Sequence, residues 1–175
     1  FKNSDNILIQ QNTFTDFSSY VLQIISSPNT QIHDNTFSSS SNSIVSSSGN
    51  IVSITNNTFE HCLWRCVNVS GTNISSIIQY NTFNTSGYDY LDPFGIPQPF
   101  FAMQVGWADE GVGIHTVSNN IFNSDGTTAG LRLVSTGPTT IVSDNTFSNL
   151  IAGISICDRG LNDANAILPD CLLNP

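Results

Sequence analysis

The side chains best suited to acid–base or metal chemistry lie in the second half of the chain. Asp109, Glu110 and His115 fall close together, and Asp89 and Asp92 precede them. Carboxylate oxygens are ligands that Ca²⁺ accepts, and a carboxylate beside a histidine could act as a weak acid–base set. A solvated acidic rim explains the same residues without any activity, and we favour that interpretation. The sequence therefore predicts no catalytic residue, no metal and no cofactor, with Asp109, Glu110 and His115 as the remaining candidates.

Cysteines are the next reactive group, and the chain has four of them: Cys62, Cys66, Cys157 and Cys171. An even number of cysteines is typical of disulfide bonding in an oxidising compartment. The rival interpretation is a zinc site built from Cys62, Cys66 and the adjacent His61, although this spacing is poor for zinc. His33 and His61 are otherwise expected to be ordinary surface residues beside turns.

Four asparagines stand in Asn-x-Ser/Thr sequons that could accept N-linked glycans, namely Asn56, Asn68, Asn73 and Asn84. Some of these sequons are expected by chance, because the chain is rich in Asn, Ser and Thr. Together with the cysteines they predict an extracellular or cell-surface protein that carries glycans.

Charge excludes two classes of partner. The formal net charge is −9, only 10% of the residues are charged, and the cations are Lys2, Arg65, Arg132 and Arg159. Nucleic-acid binding without sequence preference requires many lysines and arginines on the phosphates, which four scattered cations do not supply. Anionic membranes are disfavoured for the same reason, and no apolar run is long enough to span a bilayer.

The motif Asn-Thr-Phe, with Ile or Val three positions before the Asn, recurs along the chain. The structure that this repeat forms must position all of the residues discussed above. The asparagines of the motif are Asn12, Asn35, Asn57, Asn81, Asn120 and Asn145, where Ile121 replaces the threonine once. Apart from one longer interval, the spacing is near 23 residues. A fixed period of this length is the signature of a repeat architecture.

Each repeat also contains an alternating piece such as Val67-Asn68-Val69, Met103-Gln104-Val105 or Leu131-Arg132-Leu133. Strict alternation predicts strands with one buried face, and the Ser-, Asn-, Gly- and Pro-rich clusters between them predict turns. Short strands at this period describe a β-solenoid with coils about 4.8 Å apart. We therefore expect a buried phenylalanine column and a ladder of asparagines at a turn, where Asn tolerates a left-handed backbone.

The phrase Ile-x-x-Asn-Thr-Phe, followed by Gly130-Leu131-Arg132-Leu133 or Gly153-Ile154-Ser155-Ile156, resembles the repeat of the pectin-lyase-like superfamily. The resemblance runs from Asn6 to about Leu173. It implies an all-β, single-stranded, right-handed parallel β-helix of about seven coils as one domain over residues 1–175. The seventh coil would be 167–173, with Cys171 and Leu173 replacing the ladder asparagine and the phenylalanine. Because Phe1 opens in mid-coil, we expect a piece of a longer chain.

This fold restricts the disulfide pairing. Three coils would separate Cys62 and Cys66 from Cys157 and Cys171, about 14 Å, which exceeds the reach of a disulfide. Of the three possible connectivities, the fold permits Cys62–Cys66 with Cys157–Cys171. The catalytic strings of family polygalacturonases, such as Gly-His-Gly and Arg-x-Lys, do not occur in the sequence.

The long interval between Asn81 and Asn120 indicates an inserted loop over residues 88–101. Its aromatic and proline content predicts packing on the solenoid, a protein contact or stacking on sugar rings. The aromatic residues concerned are Tyr88, Tyr90, Phe94, Phe100, Phe101 and the nearby Trp107.

Three functional classes remain open. The first, which we favour, is a non-catalytic extracellular structural or adhesive module, a glycosylated surface rod or filament subunit. Such a module would associate head-to-tail with further copies of itself or bind other extracellular proteins. The second is a carbohydrate-active enzyme, and the third is a module that binds polysaccharide through the aromatic loop. The fold alone does not decide between them.

Overall fold

The computed structural model describes residues 1–47, 51–62, 64–71, 74–86, 90–91, 97–98, 100–106, 113–134, 139–157 and 171–174. These residues form strands and turns, with no helix among them, and the strands are numbered in chain order. Sheet 1 contains β1 (Leu8–Gln10), β4 (Thr30–His33), β7 (Ile51–Thr55), β10 (Ser75–Gln79), β15 (His115–Ser118) and β18 (Ile141–Ser143). Sheet 2 contains β2 (Thr13–Thr15), β5 (Thr36–Ser38), β8 (Thr58–Glu60), β11 (Thr82–Thr85), β16 (Ile121–Ser124) and β19 (Thr146–Ser148).

Sheet 3 contains β3 (Tyr20–Ile25), β6 (Asn42–Ser47), β9 (Arg65–Ser70), β14 (Phe100–Val105), β17 (Thr128–Val134), β20 (Ala152–Cys157) and β21 (Cys171–Asn174). The two short strands β12 (Tyr90–Leu91) and β13 (Pro97–Gln98) pair antiparallel. Each coil, called a rung below, contributes one strand to each of the three sheets. Neighbouring rungs pair parallel, as in Ile9 opposite Ile32 and Phe83 opposite Phe122. The described rungs make a parallel β-solenoid of about five turns.

The seven-coil prediction is wrong at its last coil. β21 pairs antiparallel with β20, and Leu173 lies opposite Ser155 of sheet 3 instead of following Phe147 in sheet 2. The segment lacks both the asparagine and the phenylalanine that hold a parallel rung in register. It reverses direction and covers the edge of sheet 3.

The predicted asparagine ladder is confirmed. From Asn12 to Asn145, the backbone N–H of each ladder asparagine donates to the carboxamide oxygen of the next one over 2.9–3.0 Å. The side-chain Nδ2 of the same residue donates to the same oxygen over 3.0–3.2 Å. Because the interior of the ladder is buried, these bonds remove polar groups that would otherwise be costly to bury.

The left-handed residue at this corner is not the ladder asparagine itself, contrary to our expectation. Positive φ angles of 55–58° occur one position earlier, at Gln11, Asp34, Asn56, Tyr80, Asn119 and Asp144. The ladder Nδ2 donates back to the carbonyl two residues before it, as from Asn57 to Thr55 O over 3.0 Å. The asparagine side chain therefore closes the turn around the left-handed residue.

Apolar columns fill the interior. The predicted phenylalanines stack with centroid separations of 4.7–5.0 Å and interplanar angles of 15° or less, from Phe14 to Phe147. Phe37, Phe59, Phe83 and Phe122 are fully buried. The Ile/Val position of the repeat lies in the same core, as at Ile32, Ile54, Ile78 and Val117. Each rung therefore fixes its neighbour through one polar column and at least two apolar ones.

The inserted segment follows β11 of sheet 2 and precedes β14 of sheet 3. Phe100 and Phe101, the last two residues of the predicted loop, belong to β14 and pair with Thr128 and Ala129 of β17. The loop is therefore two residues shorter than the spacing indicated. The described residues contain no helix that is long and apolar enough to cross a membrane.

Candidate functional site

The outer face of sheet 3 carries polar side chains at the centre of its alternating pieces. Asn68 of β9 pairs with Gln104 of β14, and Gln104 pairs with Arg132 of β17. Their neighbours Val67, Met103 and Leu131 point into the core. Because side chains alternate along a strand, Asn68, Gln104 and Arg132 point away from it. One polar row therefore crosses three adjacent strands.

Gln104 is buried although it faces away from the core, and Asn68 and Arg132 are half-buried. In this row and at the neighbouring Arg65, three buried side-chain atoms have no hydrogen-bond partner among the residues that the structure describes. The atoms are Arg65 Nε, Asn68 Oδ1 and Gln104 Oε1. Gln104 has 0% of its surface exposed, and its Nε2 donates to Gly106 O over 3.3 Å, which fixes the carboxamide. A buried polar atom without a partner is rare in native proteins and calls for an explanation. We call these three residues the Asn68–Gln104 site.

Two of the four fixed cations lie here, each beside an aromatic ring. The guanidinium carbon of Arg132 is 5.1 Å from the centroid of Phe101, and that of Arg65 is 5.4 Å from the centroid of Trp64. The pKa of Arg65 is lowered to about 10, chiefly because burial withdraws the guanidinium from water. The positive charge of Arg132 lowers this pKa further, and Tyr20 partly opposes the effect.

The unpaired atoms of this site are hydrogen-bonding groups, and none of them is an ordinary proton-transfer group. Arg65 Nε can donate one hydrogen bond, while Asn68 Oδ1 and Gln104 Oε1 can each accept one. A buried water molecule has the matching groups, and Gln104 offers no exposed surface to a larger ligand. Among the described residues of sheet 3, no Asp, Glu or His stands in a strand, so an acid or base is not part of what the structure describes there.

The predicted acid–base candidates separate into two groups. Asp109 and Glu110 lie outside the described residues, as do Asp89 and Asp92. His115 is buried in β15, where its Nδ1 lies 3.0 Å from Ser76 Oγ. Burial lowers the pKa of His115 below its ordinary value of 6.5. A hydrogen-bonded histidine inside the solenoid is a packing residue as far as the described contacts show.

Most of the predicted aromatic interaction loop also lies outside the described residues. Tyr88, Phe94 and Trp107 belong to that part, and for Tyr90 and Phe100 the structure gives the strand only. Phe101 is the one aromatic residue of the set with a described side chain. It is buried beneath Arg132, with Ala129 and Ala152 beside it.

The sequon asparagines occupy different environments. Asn56 is exposed at the left-handed position before the ladder, and Asn84 lies half-buried in β11, where its Oδ1 accepts from Asn123 Nδ2 over 3.2 Å. Asn68 is part of the site described above, with its Oδ1 buried. Asn73 lies outside the described residues. Glycosylation stays a prediction at all four.

The first predicted disulfide is present, since Cys62 and Cys66 are bonded with their Cα atoms 5.4 Å apart. This replaces the zinc interpretation at His61, whose Nδ1 lies 2.9 Å from Ser86 Oγ. Cys157 and Cys171 are direct register partners in the β20–β21 pair, and their bond stays a prediction. Within the described ranges no three His, Cys, Asp or Glu side chains come together as a metal site. The Ca²⁺ candidates 109 and 110 lie outside those ranges.

Sequence reasoning missed the Asn68–Gln104 site, although a signal was present. The polar residue at the centre of each apolar–polar–apolar triplet predicts an outward row once the rungs are aligned. The triplets are those of β9, β14 and β17. What the triplets do not reveal is burial, because outward positions on a solenoid are ordinarily exposed.

Comparison with known proteins shows the family and little else. The family described as "Right handed beta helix region" matches residues 1–167. No curated protein and no solved structure matches the chain. The match covers nearly the whole chain and agrees with the parallel sheets and the asparagine ladder. The chain therefore belongs to the right-handed β-helix region family.

Proposed function

We propose that this chain is a non-catalytic extracellular structural or adhesive module, a glycosylated surface rod. The observation that carries the proposal is the position of the repeat residues in the fold. The Ile/Val, Asn and Phe of the phrase all enter the columns that join one rung to the next. The repeat is therefore devoted to stiffness along the axis, which suits a rod that holds other molecules apart or together. The Cys62–Cys66 disulfide supports an oxidising, extracellular location.

The direction of the ladder supports head-to-tail association. Each backbone N–H donates toward the C-terminal end, so the ladder begins with the carboxamide of Asn12 and ends with the backbone N–H of Asn145. These two ends are complementary, as heterologous, open-ended contacts require. Since β21 covers β20, a head-to-tail contact would use sheets 1 and 2 at that end.

Electron microscopy of the native glycoprotein, combined with a polysaccharide depolymerisation screen, tests this proposal. We expect linear assemblies, glycans on the exposed Asn56 and no shortening of any polysaccharide. Turnover of a polysaccharide that disappears in both Asp109→Asn and His115→Gln would overturn the proposal in favour of an enzyme. The double requirement guards against loss of folding in a single variant.

A further inference from the structure

The outer face of sheet 1 carries exposed isoleucines in an alternating arrangement. Ile51 of β7, Ile77 of β10, Ile114 beside β15 and Ile141 of β18 are all exposed on four successive rungs. They alternate between two outward columns, and Ser or Thr occupies the other column. Ser75 lies opposite Ile51, Ser53 opposite Ile77, and Thr116 between Ile77 and Ile141. We call this checkerboard the Ile/Ser-Thr face.

Two hydrogen bonds keep Ile114 in register with β10 of sheet 1. Ile114 precedes β15, and its backbone N–H donates to Ser75 Oγ over 3.2 Å. The carbonyl of Ile114 accepts from the N–H of Ser76 over 3.0 Å, so the isoleucine continues the register of the sheet. Each rung of the face therefore presents one large apolar side chain and one small hydroxyl side chain, and the order reverses from one rung to the next.

The strands of sheet 1 carry no fixed charge at their outward positions, although Asp34 and Asp144 stand directly after β4 and β18. The outward positions of the sheet 1 strands hold no Asp, Glu, Lys or Arg; they hold Leu8, Gln10, Gln31, His33, Ile51, Ser53, Thr55, Ser75, Ile77, Gln79, Thr116, Ser118, Ile141 and Ser143. The chain as a whole has a net charge of −9. Two copies of the chain therefore repel each other on average. Contact through this face would not bring described fixed charges at the outward strand positions of the two copies together.

We propose that the Ile/Ser-Thr face binds a second copy of the same face, in a dimer whose two-fold axis runs along the solenoid between the two columns. This symmetry brings Ile51 of one copy against Ser53 of the other and Ile77 against Ser75. It brings Ile114 against Thr116 in the same way. Large side chains then fill the spaces above small ones, as packed sheets require. A second copy also has the same rung spacing of about 4.8 Å, so the match persists over all four rungs of the face.

The size of the face predicts a weak, reversible dimer. The four rungs of the face at about 4.8 Å and five residues at about 3.3 Å give on the order of 300 Å² per partner. Stable interfaces bury about 800 Å² per partner, so association requires a high protein concentration. The isologous contact closes at two copies, unlike head-to-tail stacking, and it does not depend on the proposed structural function.

Sedimentation equilibrium from about 10 µM to about 1 mM tests the proposal with a matched pair of variants. Ile77 is 44% exposed on this face, and Ile121 is 43% exposed on sheet 2. We expect a monomer–dimer equilibrium in which Ile77→Lys weakens dimerisation about tenfold or more. Ile121→Lys should leave it within about twofold, because it introduces the same charge elsewhere.

A third variant separates the checkerboard from general stickiness. Ser75→Ile adds apolar surface but fills the space that Ile77 of the partner would occupy, so we expect weaker dimerisation. Circular dichroism on each variant verifies that it is folded. A monomer at every concentration, a stronger dimer in Ser75→Ile, or equal effects of Ile77→Lys and Ile121→Lys would each overturn the proposal. Linear polymers insensitive to Ile77→Lys would do so as well, while supporting head-to-tail assembly.

Discussion

At the scale of single residues, each ladder asparagine performs several tasks at once. Asn81 is fully buried, and its Oδ1 accepts from the backbone N–H and the Nδ2 of Asn57 over 2.9 and 3.1 Å. Its own Nδ2 donates to Ile54 O, Gln79 O and Asn120 Oδ1. No other side chain of this size offers an acceptor and two donors in a fixed plane. The number of hydrogen-bond partners at this position therefore explains why it is an asparagine.

Replacing Asn81 by alanine should therefore destabilise the fold severely. Removing the carboxamide leaves buried donors and acceptors of both neighbouring rungs unpaired, at a cost of about 3 kcal/mol or more. Urea unfolding followed by circular dichroism measures the loss. Asn12→Ala is the control, because Asn12 is exposed at the end of the ladder and bonds one neighbouring rung. We expect about 1 kcal/mol there. Similar losses at both positions would show that the ladder is not a source of stability.

His115 predicts a pH dependence of stability. Burial lowers its pKa, so in the folded protein it takes up a proton at a lower pH than in the unfolded chain, where the ordinary value is 6.5. Between these two values the unfolded state binds more protons, and stability falls as the pH falls. The loss begins near pH 6.5 and is complete below the folded pKa. We expect His115→Gln to unfold with a flatter pH profile between pH 7.5 and 5, measured by thermal melts.

The control for this prediction is His61→Gln, since His61 is exposed. It should keep the wild-type profile. An unchanged slope in His115→Gln would mean that the carboxylates dominate acid unfolding.

At the scale of elements, sheet 3 shows how closely the strands of neighbouring rungs approach. A Cβ at Gly130 of β17 would lie 2.7 Å from the carbonyl oxygen of Gly153 and 2.9 Å from Phe147 Cδ1. A Cβ at Gly153 of β20 would meet Phe147 at 3.5 Å or more, which is ordinary contact. Neither glycine has a positive φ angle. The two positions therefore differ in space and not in backbone conformation.

This difference predicts unequal effects of the same substitution. Gly130→Ala forces the backbone of β20 to move and should cost about 1–3 kcal/mol of unfolding free energy. Gly153→Ala should be neutral or slightly stabilising, because it also restricts the unfolded chain. Urea unfolding of both variants provides the comparison. Equal losses in the two variants would contradict this difference in space between the two positions.

The sequence predicts those features of the fold that depend on contacts within the repeat itself, and it misses those that depend on other parts of the chain. The spacing of Asn57, Asn81 and Phe83 is sufficient for the ladder and the stack, because each repeat repeats the same contacts. The direction of β21 depends on its own residues, which lack the ladder Asn and the Phe, and on the edge of β20 that it meets; the sequence reveals only the first. Alignment of the rungs predicts the outward column of Gln104, but it does not predict that this side chain has no exposed surface.

At the scale of the whole molecule, the distribution of charge decides which contacts between copies are favourable. Thirteen acidic residues against four basic ones give the net charge of −9, so distant parts of two copies repel each other. Two of the basic residues, Arg65 and Arg132, are involved in the cation–π contacts of sheet 3. The described strands that carry the Ile/Ser-Thr face hold no Asp, Glu, Lys or Arg at outward positions, so long-range repulsion is the electrostatic effect that opposes their association.

Salt should therefore strengthen association through that face. Raising the ionic strength from about 0.02 M to about 0.3 M shortens the Debye length from roughly 20 Å to roughly 6 Å and screens the repulsion between copies. An apolar contact is itself little affected at these concentrations, so the dimerisation constant should rise several-fold. Sedimentation equilibrium at both ionic strengths measures it. Association through Arg65 or Arg132 and an acidic surface would weaken with salt instead, so the sign of the change distinguishes the two kinds of contact.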